Sequence, residues 1–181
     1  MANLRPPVTP EDHVQGSENA QVTLVEYGDY ECPHCGRAYS IIKRIQKHFG
    51  KSLRFVFRNF PLSELHPQAE SAAESAEFAG ACGKFWEMHD LLFENQERLS
   101  GALYLELAEQ LSLPIEALQR ALEEGTYRTR VRADFSSGVR SGVNGTPTFF
   151  INGKRHDGPF DYETLAPAIQ EQIRHGNAAV A

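Results

Sequence analysis

Glu26-Tyr27-Gly28-Asp29-Tyr30-Glu31-Cys32-Pro33-His34-Cys35 is the stretch whose reading decides the fold of this chain. Val22, Leu24 and Tyr27 bring strand-forming side chains to it, whereas Pro33 has φ fixed for a first helical turn and no N–H to leave unpaired there. The segment predicts a buried strand that runs into a helix, with two sulfurs at the helix N-terminus. That end of a helix carries about half a positive charge, on N–H groups without intrahelical partners. A thiolate on Cys32 would be stabilised there.

Two cysteines separated by two residues can close a small disulfide or share a metal, and the spacing alone does not choose. A structural zinc site needs about four ligands, usually from two such pairs. The only other cysteine is Cys82, so zinc would require Cys32, Cys35, Cys82 and one of the seven histidines to converge. Two unrelated structural thiols are a further reading, but structural cysteines are typically inert and buried, whereas these flank Pro33 and His34 at a strand-to-helix switch. A CxxC beside a strand–helix–strand pattern favours redox chemistry, with no metal and no cofactor beyond the Cys32–Cys35 pair itself.

Outward from this stretch the pattern remains α/β. Ala38, Ile41, Ile42, Ile45 and Phe49 recur at helical spacing, and Gly50 supplies a stop. Leu53, Phe55 and Phe57 alternate with Arg54, Val56 and Arg58 and end before Pro61, which predicts a second strand. Strand–helix–strand implies a parallel, right-handed crossover. From Pro67 to Gly142 the periodicity is helical throughout. Ala69, Ala72, Ala73, Ala76 and Ala79 make a narrow stripe that ends at Gly83, and Phe85–Phe93 is apolar nearly all round. Within it, His89 reads as a hydrogen-bonded core histidine ahead of a ligand or base. Leu103, Leu107 and Leu111 mark a further helix, Pro114 opens another, and Val131, Phe135 and Val139 lie along a last one. Thr148-Phe149-Phe150-Ile151 is strand again, and Asn152-Gly153 is a hairpin turn with Lys154–His156 as the return strand. Asp161 can cap a final helix through Leu165, Ile169 and Ile173, in which Pro167 predicts a kink or a later start.

The expected organisation is an extended N-terminal arm over 1–19, poorly ordered at its start, and a core over 20–62 and 143–175. A helical insertion over 63–142 and a flexible tail over 176–181 complete it. At 181 residues the chain exceeds a single-domain length of ~150 and falls short of two domains. A hydrophobic content of 41% with 11 Phe can fill a core, and no run approaches the ~20 apolar residues of a membrane span. A net charge of −6 argues against a nucleic-acid surface, and the one basic cluster, from Arg128 to Arg140, reads as the wet face of a helix. Met-Ala-Asn-Leu-Arg-Pro-Pro has no apolar export segment, so the expectation is a cytoplasmic protein as written, or a periplasmic one if a signal peptide was removed. An odd cysteine count also suits a reducing compartment.

The CPHC dithiol, the run Gly83–Phe93 and the segment Gly145-Thr146-Pro147-Thr148-Phe149-Phe150-Ile151-Asn152-Gly153 together resemble the DsbA-like thiol–disulfide oxidoreductases, over about Asp12 to Ile173. The resemblance implies a thioredoxin-like fold with an all-helical insertion domain. It also implies Cys32 as nucleophile, Cys35 as resolving thiol, Glu26 as a buried acid six residues before the nucleophile, and Thr146-Pro147 as a cis-proline loop that receives substrate. Cys82 has no catalytic counterpart.

The attacking species in such chemistry is the thiolate, and thiol pKa values fall below their ordinary value of about 8.5 at helix N-termini. His34, between the sulfurs, can donate a hydrogen bond or carry charge. Glu26, if buried, can pass a proton to or from Cys35; turned outward it would only be a solubilising charge. The expected activity is disulfide exchange with protein or peptide thiols through a mixed disulfide on Cys32, oxidase-like in direction, with an unknown redox partner. Reduction of small or protein disulfides is the alternative within that chemistry, and a non-enzymatic redox-sensing or peptide-binding module is the alternative outside it.

Overall fold

The computed structural model describes residues 2–178. The apolar runs read as strands become strands of one sheet: β1 (His13–Gly16), β2 (Val22–Gly28), β3 (Leu53–Asn59), β4 (Thr148–Ile151) and β5 (Lys154–Arg155). Their order in space is β1-β3-β2-β4-β5. β1 runs antiparallel to β3, and β4 runs antiparallel to both β2 and β5, with Leu24 opposite Ile151 and Tyr27 opposite Thr148. The β4–β5 turn is the one expected: Asn152 (φ 47) and Gly153 (φ 79) both take positive φ, as a type I′ turn requires.

Helix α1 (Pro33–Phe49) joins β2 to β3, and α7 (Tyr162–Ala178) follows β5. Between β3 and β4 the chain inserts α2 (Ala69–Ala81), α3 (Phe85–Glu94), α4 (Gly101–Gln110), α5 (Ile115–Glu124) and α6 (Arg128–Arg140). This is the mixed α/β sheet with an inserted helical segment that the resemblance implied. Among the described residues, no helix is long and apolar enough to cross a membrane.

By its contacts the chain groups into two compact units. The first gathers the chain up to Tyr27, Arg37–Arg58 and everything from Ser137 onward; the second gathers Gly28–Gly36 and Asn59–Ser136. In the first, Leu24, Val25, Ile45, Phe55, Phe57, Phe150, Leu165 and Ile169 are buried. In the second, Ala72, Ala76 and Ala79 of the α2 stripe are buried, and α2 packs against α3, α4 and α5. Side chains no larger than a methyl let helices approach this closely.

Several expectations are corrected. The N-terminal arm is anchored. It carries the edge strand β1, paired through its backbone with β3, and upstream of it the Leu4 N–H donates to the Gly153 carbonyl at 2.8 Å. The Arg5 N–H donates to Ser141 Oγ at 2.7 Å. In β3 the alternation fails, because the strand is covered on both faces and Val56 and Arg58 are as buried as Phe55 and Phe57.

The arginines of α6 are a wet face only in part: Arg132 and Arg140 are exposed, whereas Arg128 and Arg130 are half-buried against acids. Arg128 lies 3.6 Å from Glu70 and from Glu74, and Arg130 reaches Glu77 at 3.7 Å and Asp134 at 2.8 Å. They neutralise acids of α2, of which Glu74 and Glu77 are buried. Helix α7 starts at Tyr162, where Asp161 Oδ1 accepts the Thr164 N–H, and it passes through Pro167 rather than beginning after it. Proline removes the hydrogen bond to the carbonyl of Glu163, an exposed residue, where water can take its place. Of the tail expected over 176–181, residues 176–178 belong to α7 and 179–181 lie outside the described residues.

Arg58 holds the anchored arm. Its guanidinium donates to both carboxylate oxygens of Asp12, at 2.7 and 2.9 Å, to the Tyr27 hydroxyl at 2.9 Å, and to the carbonyls of Pro6 and Pro7. Burial opposes the charge, but the hydrogen bonds of Asp12 and Tyr27 outweigh it and hold Arg58 protonated more firmly than usual. Removing one partner of such a pair leaves an uncompensated buried charge, at about 3–5 kcal/mol. Asp12→Ala should therefore lower the unfolding free energy measured by urea titration by an amount of that order, and the double variant Asp12→Ala/Arg58→Met should recover much of the loss.

Candidate active site

Where β2 ends at Gly28, the chain makes one tight turn before α1 begins at Pro33, the first helical residue as expected. The Cys32 N–H donates to the Asp29 carbonyl at 3.2 Å, and the Gly36 N–H donates to the Cys32 carbonyl at 3.1 Å. Asp29 Oδ1 accepts the Glu31 N–H at 2.8 Å, the side-chain mimicry of a backbone turn that favours Asp at such positions. Cys32 thus sits immediately before the first turn of α1, the end of a helix at which backbone N–H groups lack intrahelical acceptors. It retains 4% of its surface and Cys35 none, while Pro33 and His34 between them are exposed. Cys35 Sγ accepts the Asp29 N–H at 3.4 Å.

The turn is held by residues that sequence reasoning missed. Asp29 is 1% exposed. Its second carboxylate oxygen accepts the Leu62 N–H at 2.8 Å and meets His66 Nδ1 at 2.7 Å. Burial pulls the His66 pKa down, but the hydrogen bond and charge of Asp29, with Cys32 and Glu31 adding to them, outweigh it and raise the value above that of an ordinary histidine. Gln96 Nε2 donates to the carbonyls of Tyr30 and Cys32 at 2.7 and 3.0 Å. Glu31 Oε2 accepts the Gln68 N–H at 2.6 Å, just before α2. The Tyr30 hydroxyl meets His89 Nδ1 at 3.0 Å, and His89 lies among the rings of Phe85, Trp86 and Phe93. His89 is thus the hydrogen-bonded core histidine that was expected. The one local signal that could have exposed this shell is Asp29 itself, which stands two residues before a turn N–H.

The other expected site residues lie in the first unit. Glu26 is 2% exposed on β2, opposite Phe149 of β4, so the outward-facing alternative does not hold. The Thr146–Pro147 bond is cis, directly ahead of β4. Thr148 Oγ1 donates to the Gly145 carbonyl at 2.7 Å, and a small cleft beside Pro147 is lined by Phe149, Arg155, His156 and Phe160. Among the described residues, no cluster of three His, Cys, Asp or Glu side chains could hold a metal ion.

A sheet interrupted by α2–α6 and a CxxC at the head of α1 define a class, the DsbA-like thiol–disulfide oxidoreductases. The chain belongs to the thioredoxin family Thioredoxin_4, which matches residues 8–171. BdbD from Bacillus subtilis, in its oxidised crystal structure, is similar with a TM-score of 0.87 and 28% identity, over 96% of this chain and 98% of that one. Alpha-DsbA1 from Wolbachia pipientis has a TM-score of 0.86 over the whole of both chains; at 17% identity it speaks to the fold alone. In sequence, the Na(+)/H(+) antiporter NhaA 3 of Salinispora tropica is 44% identical over 170 residues, which are 93% of this chain and 26% of that protein. The chain spans about a quarter of the length of the curated relatives it matches.

Gly36 is the residue that lets Gln96 in. A Cβ at position 36 would run into the Gln96 amide oxygen. Gly36→Ala should displace the amide from the Tyr30 and Cys32 carbonyls, at about 1–3 kcal/mol for the hydrogen bonds left unmade. A denaturation cycle checks this: the double variant Gly36→Ala/Gln96→Ala should be about as stable as Gln96→Ala alone.

Proposed function

We propose that this protein oxidises protein or peptide thiols through a mixed disulfide on Cys32. The observation that carries the reading is the asymmetry of the dithiol. Of the two cysteines only Cys32 retains any surface, and it lies at the N-terminal end of α1, whereas Cys35 is fully covered and its sulfur receives the Asp29 N–H. A substrate thiolate attacks Cys32 Sγ of the Cys32–Cys35 disulfide, and Cys35 leaves with the bonding electron pair, supported by that N–H. A second substrate thiol, its proton given to solvent, attacks the substrate sulfur of the mixed disulfide and expels Cys32 as thiolate. The substrate loses two electrons, the protein dithiol gains them, and a more oxidising disulfide on a redox partner restores the starting state.

The direction follows from charge. Helix N–H groups and the exposed His34 favour the thiolate, which exists only in the reduced form, and stabilising the reduced form makes the disulfide a stronger oxidant. Glu26 is proposed as a proton carrier in the exchange, since burial favours the neutral, proton-donating form of a carboxyl. Thr146-Pro147 is proposed to receive an extended substrate strand by backbone pairing. The ion transport named for the Salinispora relatives is not assigned to the residues present here.

Three measurements test the reading. Cys35→Ser should accumulate a mixed disulfide with a dithiol peptide, and Cys32→Ser should lose exchange; equal activity in the two variants refutes the nucleophile–resolver scheme. Equilibration with glutathione should place the couple on the oxidising side. The reduced protein should melt above the oxidised one, the inverse of the ~2–4 kcal/mol by which a structural disulfide normally stabilises. A clearly higher melting temperature for the oxidised form would make the protein a reductant instead.

A further inference from the structure

We propose that His66 is a positioning residue for the dithiol: it holds the Asp29 carboxylate that shapes the Cys32 turn and, when protonated, favours the Cys32 thiolate. The inference rests on the exchange chemistry proposed above. Its starting point is the burial of Asp29, since an ionised carboxylate removed from water persists only when hydrogen-bonded and neutralised. The N–H groups of Glu31 and Leu62, each at 2.8 Å, supply the hydrogen bonds. His66, 2.7 Å from Oδ2, supplies the cation when it is protonated. Asp29 in turn touches both cysteines through its backbone, the carbonyl accepting the Cys32 N–H and the N–H donating to Cys35 Sγ. Whatever fixes Asp29 therefore fixes the backbone of Cys32 and the sulfur of Cys35.

His66 comes from the loop after β3, 37 residues from Asp29 in sequence. The groups that act on it are Asp29, Cys32 and Glu31; all three favour its charged form and together they outweigh burial. Coupling between two titrating groups is reciprocal. If the Cys32 thiolate helps His66 keep its proton, then His66⁺ helps Cys32 lose one. Formation of the disulfide removes the thiolate charge, so His66 should release its proton at lower pH in the oxidised protein than in the reduced one.

The sign in pH follows. With His66 protonated, its charge cancels that of Asp29 and the thiolate is favoured. As pH rises through the raised folded-state value, the cation is lost, Asp29 stands uncompensated beside the dithiol, and the advantage disappears. The same raised value means that the pair's contribution to stability is fully present below the ordinary histidine range of about 6.5 and is lost as pH passes the folded value.

A residue that merely anchored the loop would predict none of this, and the full chain can be tested directly. The His66 ring is titrated by NMR in the reduced and oxidised protein. The rate of Cys32 alkylation is followed against pH in wild type and in His66→Asn, which keeps an N–H donor for Asp29 without the charge. The His66 midpoint should be higher in the reduced protein. In His66→Asn the Cys32 midpoint should rise by about one pH unit, the low end of what a nearby opposite charge produces, and the thiolate fraction below it should drop about tenfold. The glutathione equilibrium should move by a similar factor toward the oxidised protein. An unchanged Cys32 midpoint in His66→Asn, or a His66 titration indifferent to redox state, overturns the proposal. Should the variant fail to fold, the wild-type comparison decides alone. Absence of turnover on dithiol peptides would refute the exchange reading and leave the His66–Cys32 coupling standing or falling on its own titration.

Discussion

A carboxylate with 1% exposure is the constraint on which the dithiol turn depends. A carboxylate in that position needs donors, and those of Asp29 come from two places in the chain: Glu31 in the same turn, and Leu62 and His66 in the loop after β3. Meeting that demand draws the Leu62–His66 loop onto the turn that carries Cys32. The backbone of Asp29 does the rest, since one of its groups accepts from Cys32 and the other donates to Cys35. A single desolvated side chain thereby helps fix the backbone of Cys32 and the sulfur of Cys35 with ordinary hydrogen bonds.

The same economy governs the neighbouring residues of the turn. Tyr30 spends its hydroxyl on His89 and its carbonyl on Gln96, Glu31 spends its carboxylate on the N–H of Gln68, and Cys32 shares its carbonyl between Gly36 and Gln96. Each bond contributes only about 1 kcal/mol net, but leaving one of these buried groups unpaired costs more than making the bond gains. The turn is therefore defined less by attraction than by the expense of every alternative. In the first unit Arg58 shows the converse arrangement, a buried cation ringed by Asp12, Tyr27 and two proline carbonyls.

What the sequence discloses divides along the same line. Hydrophobic periodicity reports elements whose burial is one-sided and local: Ala38, Ile42, Ile45 and Phe49 mark α1, the alanines mark α2, and Asn152-Gly153 marks the β4–β5 turn, all as found. The CxxC and the proline after its first cysteine place the sulfurs at a helix start, and the resemblance adds a buried Glu26 and a cis Thr146–Pro147 bond. Polar residues that are buried because of a distant partner carry no such pattern. Arg58 reads as the wet side of an alternating strand because its partner Asp12 is 46 residues away, and β1 is missed because backbone pairing with β3 needs no particular side chains. Asp29 lies inside the very stretch that decides the fold, and nothing in that stretch alone gives it a role. Its role exists only once His66 and Leu62 are brought to it.

The three cysteines make the same point from the side of reactivity. Cys82 is exposed and, by access alone, is the thiol any reagent would meet first. It closes α2 at its C-terminal end, its own N–H turned back to the carbonyls of Phe78 and Ala79. A helix presents carbonyl oxygens at that end, which offer a sulfur no donors. Cys32 is nearly covered, yet it precedes the N-terminal turn of α1, the end at which a helix presents N–H donors, and the adjoining turn is held by Asp29 and His66. Side-chain chemistry is identical in the two residues, so any difference in reactivity must come from the end of the helix each one occupies and from what the rest of the fold aims at it. For that reason exposure ranks the two cysteines of the dithiol but not Cys82 against them, and the helix end that each one occupies makes the second distinction.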